Sequence, residues 1–286
     1  MKRTILRLLP LLLCLLTVGA TAQPLYVGSY NIRYKNSGDV QEGNGWAQRC
    51  PVVCAQVNFE HPDIFGAQEV LDAQLHDMLE LLDGYDYIGV GRDDGKKAGE
   101  YAPIFYDKNK IKLLREGHFW LSETPDKPGL GWDAACTRIC TWGHFEDVTT
   151  CQQFFFFNLH MDHVGVVARR EAARLVVQRI GELAGKDQRV ILTGDFNVDQ
   201  HDEIYNIFTE SGLLRDCYEH ARLRFATNGT FNGYHMDRKT DSRIDHIFVS
   251  NQFSVERYGL LTNVYWDEEG QRRLPSDHYP VMVHLK

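Results

Sequence analysis

A run of four phenylalanines, Phe154 to Phe157, constrains the fold of this chain more than any other feature. A β-strand presents alternate residues to opposite faces, so a run that is apolar at both parities needs apolar cover on both faces of its sheet. We therefore expect 153–159 to form a strand that is buried on both sides. Its predicted partner is 137–146, in an antiparallel pair around a turn at 147–150.

The other apolar patterns predict a mixture of strands and helices. Apolar residues at helical spacing in 71–82 and 164–183 predict amphipathic helices, and 46–58 is also predicted to be helical. Strands outnumber helices, and helices fall between runs of strands, which predicts an α/β (α+β) fold with two packed sheets and helices on the outer faces. The remaining predicted strands are 25–34, 64–67, 85–90, 103–106, 189–193, 244–250, 254–264 and 279–285.

The first 22 residues have the pattern of an export signal. Lys2, Arg3 and Arg7 precede an apolar stretch from Leu8 to Val18, and Ala20-Thr21-Ala22 supplies a small-residue cleavage site. The apolar stretch has about 11 residues, whereas a membrane-spanning helix needs roughly 20. We expect a signal peptide at 1–22 and one compact domain at 23–286, located in the periplasm, at the cell surface or in the medium.

Charge and cysteine spacing narrow the possible functions. Without Lys2, Arg3 and Arg7, the chain has 28 basic and 39 acidic residues, a net charge of −11. Proteins that bind duplex DNA usually have a basic face, so this charge argues against that class. The C-x3-C pairs Cys50/Cys54 and Cys136/Cys140 do not match the usual C-x2-C spacing of zinc sites. Free thiols or one or two disulfides are expected for the six cysteines after residue 22.

Polar motifs follow or precede the predicted strands. Each motif alone also fits an ordinary turn or strand end, because Gly, Asp and Asn are common turn residues. Together they suggest a site, since functional residues are often placed on loops at the ends of a rigid sheet. The motifs are Ser29-Tyr30-Asn31, Gln68-Glu69, Thr137 to Trp142 with Arg138, Asn158-Leu159-His160, Gly194-Asp195-Phe196-Asn197, Ile244-Asp245-His246 and Ser276-Asp277-His278.

In the order of these motifs the sequence resembles the endonuclease/exonuclease/phosphatase (DNase I-like) superfamily, and its exported bacterial branch in particular. The resemblance extends from Tyr26 to the C-terminus. It implies a four-layer αββα sandwich of two packed mixed β-sheets flanked by helices. It also implies a phosphoester hydrolase that depends on Mg²⁺ or Mn²⁺.

The resemblance further implies a role for each motif residue. Glu69 is the principal metal ligand, with Asn31 beside it and Asp277 helping. Asp195 aligns or deprotonates the attacking water, and Asn197 binds that water or the phosphate. His278 contacts the scissile phosphate, Asp245 holds the His278 ring, and His160 is the second imidazole. Arg138 faces substrate phosphate, Asp162 supports the site, and Glu100-Tyr101 is a weaker match to another substrate-facing position.

The same chemistry follows from the residue types. A divalent ion neutralises an anionic phosphoester, a carboxylate aligns the water, and imidazole or Arg contacts the phosphoryl oxygens. Oxygen and amide ligands suit Mg²⁺ or Mn²⁺ better than zinc. Asp195 and His278 both remain candidates for the general base, and the metal count, one or two, stays open.

Two other functions fit the sequence less well. A calcineurin-like metallophosphatase would need an early Asp-x-His and a later Gly-Asn-His motif, and the sequence has neither. A non-catalytic exported binding domain would be expected to have lost ligands, whereas the whole set is present. The predicted substrate is a nucleotide, nucleic acid, phospholipid or sugar or inositol phosphate, and the acidic charge favours small ones. A monomer without a stable protein partner is expected.

Overall fold

Two large mixed β-sheets lie face to face in the computed structural model, which describes residues 24–226 and 228–286. The strands are β1 (Leu25–Asn31), β2 (Ile64–Gln68), β3 (Tyr85–Ile88), β4 (Ile104–Asp107), β5 (Ile111–Trp120), β6 (Ile139–Asp147), β7 (Gln153–His160), β8 (Val190–Asp195), β9 (Arg215–Asp216), β10 (Leu223–Phe225), β11 (Asp245–Val249), β12 (Val255–Leu260), β13 (Tyr265–Trp266), β14 (Arg272–Arg273) and β15 (Val281–Leu285). The first sheet has the order β10-β12-β15-β1-β2-β4-β3, and the second has the order β5-β6-β7-β8-β11-β9. Strands β13 and β14 form a separate hairpin.

Helices cover the outer face of each sheet. They are α1 (Ser37–Gln41), α2 (Trp46–Glu60), α3 (Asp72–Leu81), α4 (Val166–Leu183), α5 (Glu203–Thr209) and α6 (Cys217–His220). Apolar residues of α2 and α3 share a core cluster with the outer face of the first sheet. Those of α4 and α5 share another cluster with the second sheet, and a third cluster fills the space between the sheets. The expected four-layer sandwich is confirmed.

Strand β7 shows why the phenylalanine run requires several layers. Phe154 and Phe156 lie in the core between the sheets, whereas Phe155 and Phe157 lie in the core beneath α4 and α5. Both faces of β7 are therefore buried, as predicted. The predicted antiparallel pairing with the preceding strand is also confirmed, with Trp142 opposite Phe157.

Several elements differ from the sequence-based expectation. Strand β12 ends at Leu260 rather than at residue 264, and the short elements α1, α5, α6, β9, β10, β13 and β14 were not predicted. Three further differences have a clear physical reason. Strand β1 ends at Asn31 rather than at residue 34, because the backbone turns at Arg33, which has a φ of 60°. Helix α4 begins at Val166 rather than at residue 164, because the Asp162 carboxylate binds the N–H groups of Val164 and Gly165 in a turn. Strand β5 was not predicted, since it is an edge strand whose many charged and exposed residues hide the alternation.

Other predictions concern the termini and the thiols. The predicted signal peptide lies outside the described residues. The six cysteines of the described ranges are free thiols, which agrees with one of the two expected states. No helix in the part of the chain that the structure describes is long and apolar enough to cross a membrane.

Candidate active site

The polar motifs converge at one edge of the two sheets because of the strand register. In the first sheet, Asn31 at the end of β1 pairs with Gln68 at the end of the parallel strand β2. In the second sheet, His160 at the end of β7 pairs with Asp195 at the end of β8, and Asp195 also pairs with Asp245 at the start of β11. These pairings place the strand ends side by side. Carboxylates and imidazoles from five segments therefore meet there, namely Glu69, His160, Asp195, Asp245 and Asp277-His278.

A buried polar network joins the two sheets next to this edge. Gln68 Nε2 donates to Asn158 Oδ1 at 2.7 Å, and Thr193 Oγ1 donates to the same oxygen at 3.0 Å. Gly66 is required here, because a Cβ at this position would lie 2.3 Å from both Asn158 Oδ1 and Thr193 Oγ1. Since Gln68, Asn158 and Thr193 lie one or two positions before Glu69, His160 and Asp195, the network fixes the spacing between the two groups of site residues.

Asn31 connects the principal carboxylates of the site. Its amide nitrogen donates to Glu69 Oε1 at 3.0 Å and to Asp195 Oδ2 at 2.9 Å. The side-chain oxygen of Asn31, Oδ1, accepts a hydrogen bond from the backbone N–H of Arg33 at 3.0 Å. The second oxygen of Glu69 accepts the backbone N–H of Tyr34, and Glu69 itself has a φ of 62°. The side chain of Glu69 is thereby turned out of its strand and held in one orientation.

The two imidazoles of the site carry different charges. Asp245 Oδ2 accepts a hydrogen bond from His278 Nδ1 at 2.8 Å. Burial opposes a charged His278, but Asp245 and Asp195 outweigh burial and raise the pKa of His278 well above its ordinary value. Burial, with help from nearby Arg138, holds the pKa of His160 well below its ordinary value. The shifts of the two pKa values therefore favour the protonated form of His278 and the neutral form of His160.

The proton of the neutral His160 can be assigned from its neighbours. The Asn197 amide nitrogen donates to the backbone carbonyl of Met161 at 3.0 Å, which fixes the orientation of that amide. The same nitrogen lies 3.1 Å from His160 Nε2, and an amide nitrogen can only donate, so Nε2 accepts and Nδ1 carries the proton. His160 Nδ1 faces Glu100 Oε2 at 4.0 Å.

Asp195 lies between the two imidazoles. Its Oδ2 is 3.5 Å from His160 Nε2 and 3.7 Å from His278 Nε2, and its Oδ1 accepts the backbone N–H of Asn197. Burial and the neighbouring Asp245 raise the pKa of Asp195 to about 7. A carboxylate with a pKa near neutrality is suited to proton transfer.

Most of these side chains line one cleft of about 480 Å³, which we divide into two halves. The half that we name the catalytic half, for its expected role, consists of the lining residues Glu69, His160, Asp195, Asn197, Asp277 and His278. It also includes Asn31 and Asp245, which do not line the cleft but hydrogen-bond to these residues. The arginine half consists of Arg92, Glu100, Cys136, Arg138 and His163.

In the arginine half, Arg92 pairs with Glu100 through two hydrogen bonds of 2.6 and 2.9 Å. Arg138 donates to His163 Nδ1 at 3.1 Å, and its Nε lies 3.6 Å from Asp162. Within the described residues, Arg92 Nε and two nitrogens of Arg138 are buried without a hydrogen-bond partner. This half therefore offers donors that the protein itself does not use.

Arg49 of α2 holds the catalytic half from behind. This arginine is fully buried, and its guanidinium donates to the carbonyl oxygens of Ile32 and Asn44 at 2.7 Å, Pro275 at 3.0 Å and Arg33 at 3.1 Å. The carbonyls of Ile32 and Arg33 belong to the loop after β1, and that of Pro275 belongs to the segment before β15. The Asn44 carbonyl lies between α1 and α2. One side chain thus ties together the two segments that carry Asn31 and Asp277.

Two expected substrate-binding residues lie elsewhere. Neither Tyr101 nor Asp162 is among the described residues that line the cleft. Adjacent residues of an extended chain point to opposite sides, so Glu100 faces the cleft while the Tyr101 hydroxyl donates to Asp72 at the start of α3. Asp162 accepts four backbone N–H groups from two loops, at Ala135, Cys136, Val164 and Gly165.

Several cleft residues were not predicted. Arg33 pairs with Asp39 through two hydrogen bonds and lies 3.6 Å from Asp277. Arg92, Cys136 and His163 lie in loops whose sequences show no periodicity. The only sequence signal for Arg92 was its position in a glycine-rich loop that ends at Glu100.

The catalytic half fits a hard divalent cation. Glu69, His160 and Asp195 offer ligand atoms that lie within 4.8 Å of one another. Burial raises the pKa of Asp277, with a contribution from Glu69, so the carboxylates here would gain from added positive charge. The carboxylate oxygens of Glu69, Asp195 and Asp277 are the donors that Mg²⁺ and Mn²⁺ prefer. In contrast to the expectation for a ligand, the Asn31 side chain presents its amide nitrogen to these carboxylates.

A second group of possible ligands does not fit a cation. Cys136, Asp162 and His163 also have ligand atoms within 4.8 Å of one another. Both oxygens of Asp162 already accept backbone N–H groups, and the Arg138 guanidinium lies beside Asp162. Positive charge is therefore already supplied in this half of the cleft.

Comparison with known proteins places this geometry among related chains. The family model described as the Endonuclease/Exonuclease/phosphatase family matches residues 28–278. The structure of a mannosyl-6-phosphatase from Bacteroides thetaiotaomicron VPI-5482 is 53% identical, with a TM-score of 0.89 over 92% of this chain and 99% of that chain. A family protein from Bacteroides vulgatus is 38% identical, with a TM-score of 0.83 over 92% and 98%. The human Nocturnin catalytic domain with bound sulfate is 17% identical, with a TM-score of 0.70 over 92% and 93%, which shows a shared fold alone.

Proposed function

Because the chain belongs to the endonuclease/exonuclease/phosphatase family and is a phosphoester hydrolase, we propose that it removes phosphate from phosphorylated sugars with the help of a divalent metal ion. The observation that carries this proposal is the bridge formed by Asn31, which joins the carboxylates of Glu69 and Asp195 beside the charged His278. Through Asn31, the candidate metal ligand Glu69 and the candidate proton acceptor Asp195 lie next to His278, the candidate hydrogen-bond donor to the phosphate. The sugar is supported by the 53% identity to a mannosyl-6-phosphatase.

Glu69 would hold the metal ion, with Asp277 and Asn31 beside it. Mg²⁺ or Mn²⁺ is proposed because the available donors are oxygens, and such an ion supplies charge neutralisation for the anionic ester and its transition state. For Asn31 to bind the ion through oxygen, its amide must turn over and give up the Arg33 N–H. In its present orientation Asn31 is better suited to fixing Glu69 than to binding the ion.

Asp195 is the group best placed to receive the proton of the attacking water. Its pKa of about 7 lets it accept and release a proton near neutral pH. His278 is already protonated and held by Asp245, which favours a role as donor to a phosphoryl oxygen over a role as base. Of the two candidates for the general base, the geometry therefore favours Asp195.

The phosphoryl group would lie between the imidazoles and Asn197. His278 supplies a charged donor, and Arg138 supplies another from the arginine half of the cleft. A phosphomonoester is a dianion near neutral pH, and this arrangement of donors suits its three unsubstituted oxygens. The acidic overall charge also agrees with a small substrate rather than with long nucleic acid.

We also propose that the protein acts outside the cytoplasm. The support is the sequence of residues 1–22, with its basic start, apolar stretch and small-residue cleavage site. N-terminal sequencing of the protein recovered from outside the cytoplasm should begin at Gln23. Recovery of the uncleaved chain from the cytoplasm alone would contradict this proposal.

A substrate panel tests the proposed reaction. The purified protein is supplied with Mg²⁺ or Mn²⁺ and with hexose 6-phosphates, inositol phosphates, nucleoside monophosphates, single-stranded DNA and RNA, sphingomyelin and a generic phosphodiester. We expect the highest kcat/KM for a sugar monoester. A higher kcat/KM for any diester would overturn the sugar phosphatase proposal while leaving phosphoester hydrolysis intact.

A further inference from the structure

We propose that the ion pair of Arg92 and Glu100 is a subsite that recognises hydroxyl groups on the sugar of the substrate. This inference rests on the proposed function and names the residues that select the leaving group. Both side chains line the cleft and are only partly exposed, at 14% for Arg92 and 16% for Glu100. They are therefore accessible to a ligand in the cleft and shielded from bulk solvent.

The chemistry of the pair suits a neutral hydroxylated ligand. Arg92 neutralises Glu100 through two hydrogen bonds, so the pair does not need an anion for charge balance. A carboxylate has about four lone-pair sites, and Arg92 uses two of them. Arg92 donates only two of its five N–H groups to Glu100. The remaining lone pairs of Glu100 and the remaining N–H groups of the Arg92 terminal nitrogens match a hydroxyl group, which both donates and accepts. A second phosphate would instead meet the Glu100 carboxylate.

The position of the pair suits the leaving group of a phosphate ester. Tyr101 pairs with Val70 in an antiparallel bridge, which places Glu100 beside the segment that carries Glu69. One imidazole ring, that of His160, separates Glu100 from Asp195. A sugar attached to a phosphoryl group at Asp195 would therefore extend past His160 toward Arg92.

The loop that carries the pair is closed by its own hydrogen bonds. Arg92 N–H donates to the Glu100 carbonyl at 3.1 Å, and Trp120 Nε1 donates to the Arg92 carbonyl at 2.7 Å. Gly99 has a φ of 78°, and a Cβ there would lie 2.5 Å from Asp93 Cγ, so the closure requires glycine. The subsite is thus held in place before a ligand binds, which lowers the entropic cost of recognition.

The test compares two esters that differ only in hydroxyl groups. One is the hexose 6-phosphate with the highest kcat/KM in the panel, and the other is cyclohexylmethyl phosphate, which has a similar ring without hydroxyls. The readout is the kcat/KM for the hexose 6-phosphate divided by the kcat/KM for cyclohexylmethyl phosphate, measured in the full-length protein with saturating Mg²⁺. We expect Arg92→Gln to lower this ratio by about 10- to 100-fold, the range for losing hydrogen bonds to a charged group.

Two further variants keep the test decisive. Arg92→Lys retains the charge but loses the two-point geometry, so it should fold and lower the ratio by an intermediate amount. Lys110→Gln is the control, because it removes an ion pair with Asp63 just before the start of β2, whereas the cleft lies at the other end of this strand. It should leave the ratio within about twofold of the wild-type value. Deoxy hexose phosphates should identify the recognised hydroxyl, because its loss and Arg92→Gln should not be additive.

The outcomes separate the subsite from the reaction. A merely structural ion pair would lower both kcat/KM values together and leave the ratio unchanged, which would overturn the subsite. A wild-type protein that hydrolyses both esters equally well would also overturn the subsite, but it would retain the phosphatase reaction. A folded protein that hydrolyses neither ester would overturn the proposed function and the subsite with it.

Discussion

The two halves of the cleft are built from different parts of the fold. Residues of the catalytic half lie at or next to strand ends, and Asn31, Asp195 and Asp245 are fixed by sheet register. Residues of the arginine half lie on loops, except Arg138, which directly precedes β6. These loops close through local hydrogen bonds and through Asp162. The comparison suggests that the sheet framework supplies the chemistry and the loops supply the selection of substrate.

The proposed division between a half that supplies the chemistry and a half that selects the substrate is tested most directly by removing the proposed proton acceptor. Asp195→Asn should lower kcat by at least about 100-fold, because the amide cannot accept the proton of water. Asp187→Asn, at an exposed position before β8, is the matched control. Thermal unfolding of both variants should resemble the wild type. A kcat of Asp195→Asn close to the wild-type value would remove Asp195 from the mechanism.

A second variant asks which half holds the metal. Glu69→Gln should raise the Mn²⁺ concentration for half-maximal activity by at least about 10-fold, since even residues that support metal ligands have effects of this size. Glu100→Gln is the matched change in the arginine half, where Arg92 already neutralises the carboxylate. It should shift the Mn²⁺ requirement by about twofold at most. Equal shifts in the two variants would contradict the division of the cleft.

Arg49 offers a test of how the catalytic half is held. Arg49→Lys keeps the charge, but an ammonium has three donors and cannot reproduce the planar contacts to four carbonyl oxygens. The free energy of unfolding should fall by roughly 1.5–3 kcal/mol, and the Mn²⁺ requirement should rise. Val53→Ala, at a buried position of the same helix, serves as a destabilised control whose Mn²⁺ requirement stays unchanged. A similar Mn²⁺ requirement in both variants would reduce Arg49 to a role in stability.

The smallest expected effect concerns the support of the arginine half. Asp162→Asn should lower the free energy of unfolding by about 1 kcal/mol, because the amide loses acceptor capacity for backbone N–H groups. Burial opposes ionisation, but these N–H groups and Arg138 outweigh it and lower the pKa of Asp162 to about 2. A lowered pKa contributes stability that is present above the ordinary value and lost only as the pH falls toward 2.

The pH dependence of that variant provides its check. Chemical denaturation at about pH 8 and about pH 5 should give the same difference between wild type and Asp162→Asn, since the carboxylate is ionised at both values. A difference that disappears at the lower pH would mean that Asp162 titrates in this range. Its assignment as the anchor of the two loops would then fail.

The sequence indicated, for a physical reason, that the motif residues of the catalytic half would meet at strand ends. Glu69 and Asp195 follow apolar runs, and alternation along a strand shows where such a run must leave the core. Arg92 lies in a polar loop without periodicity, so nothing local indicates that it pairs with Glu100. Arg49 has the sequence context of an ordinary helix residue, and its burial depends on Pro275, which is 226 positions away.

The fold was predicted for a similar reason. The phenylalanine run requires cover on both faces of β7, and helical spacing identified α4, which covers one of these faces. Helical spacing also identified α3, which covers the first sheet. The edge strand β5 escaped prediction, because an edge position permits charged residues on both faces. Interior elements therefore leave a clear pattern in the sequence, whereas edges and loops depend on contacts with distant segments.

Metal binding and turnover measured on the same sample test the central claim most directly. The purified protein is stripped with EDTA, and bound Mn²⁺ and phosphate release from a hexose 6-phosphate are followed together as Mn²⁺ is added back. We predict no turnover in the stripped protein and turnover that rises in proportion to bound Mn²⁺, with Mg²⁺ also effective. Full turnover in the metal-free protein, or restoration by Zn²⁺ alone, would contradict a hard cation at Glu69 as the centre of this site.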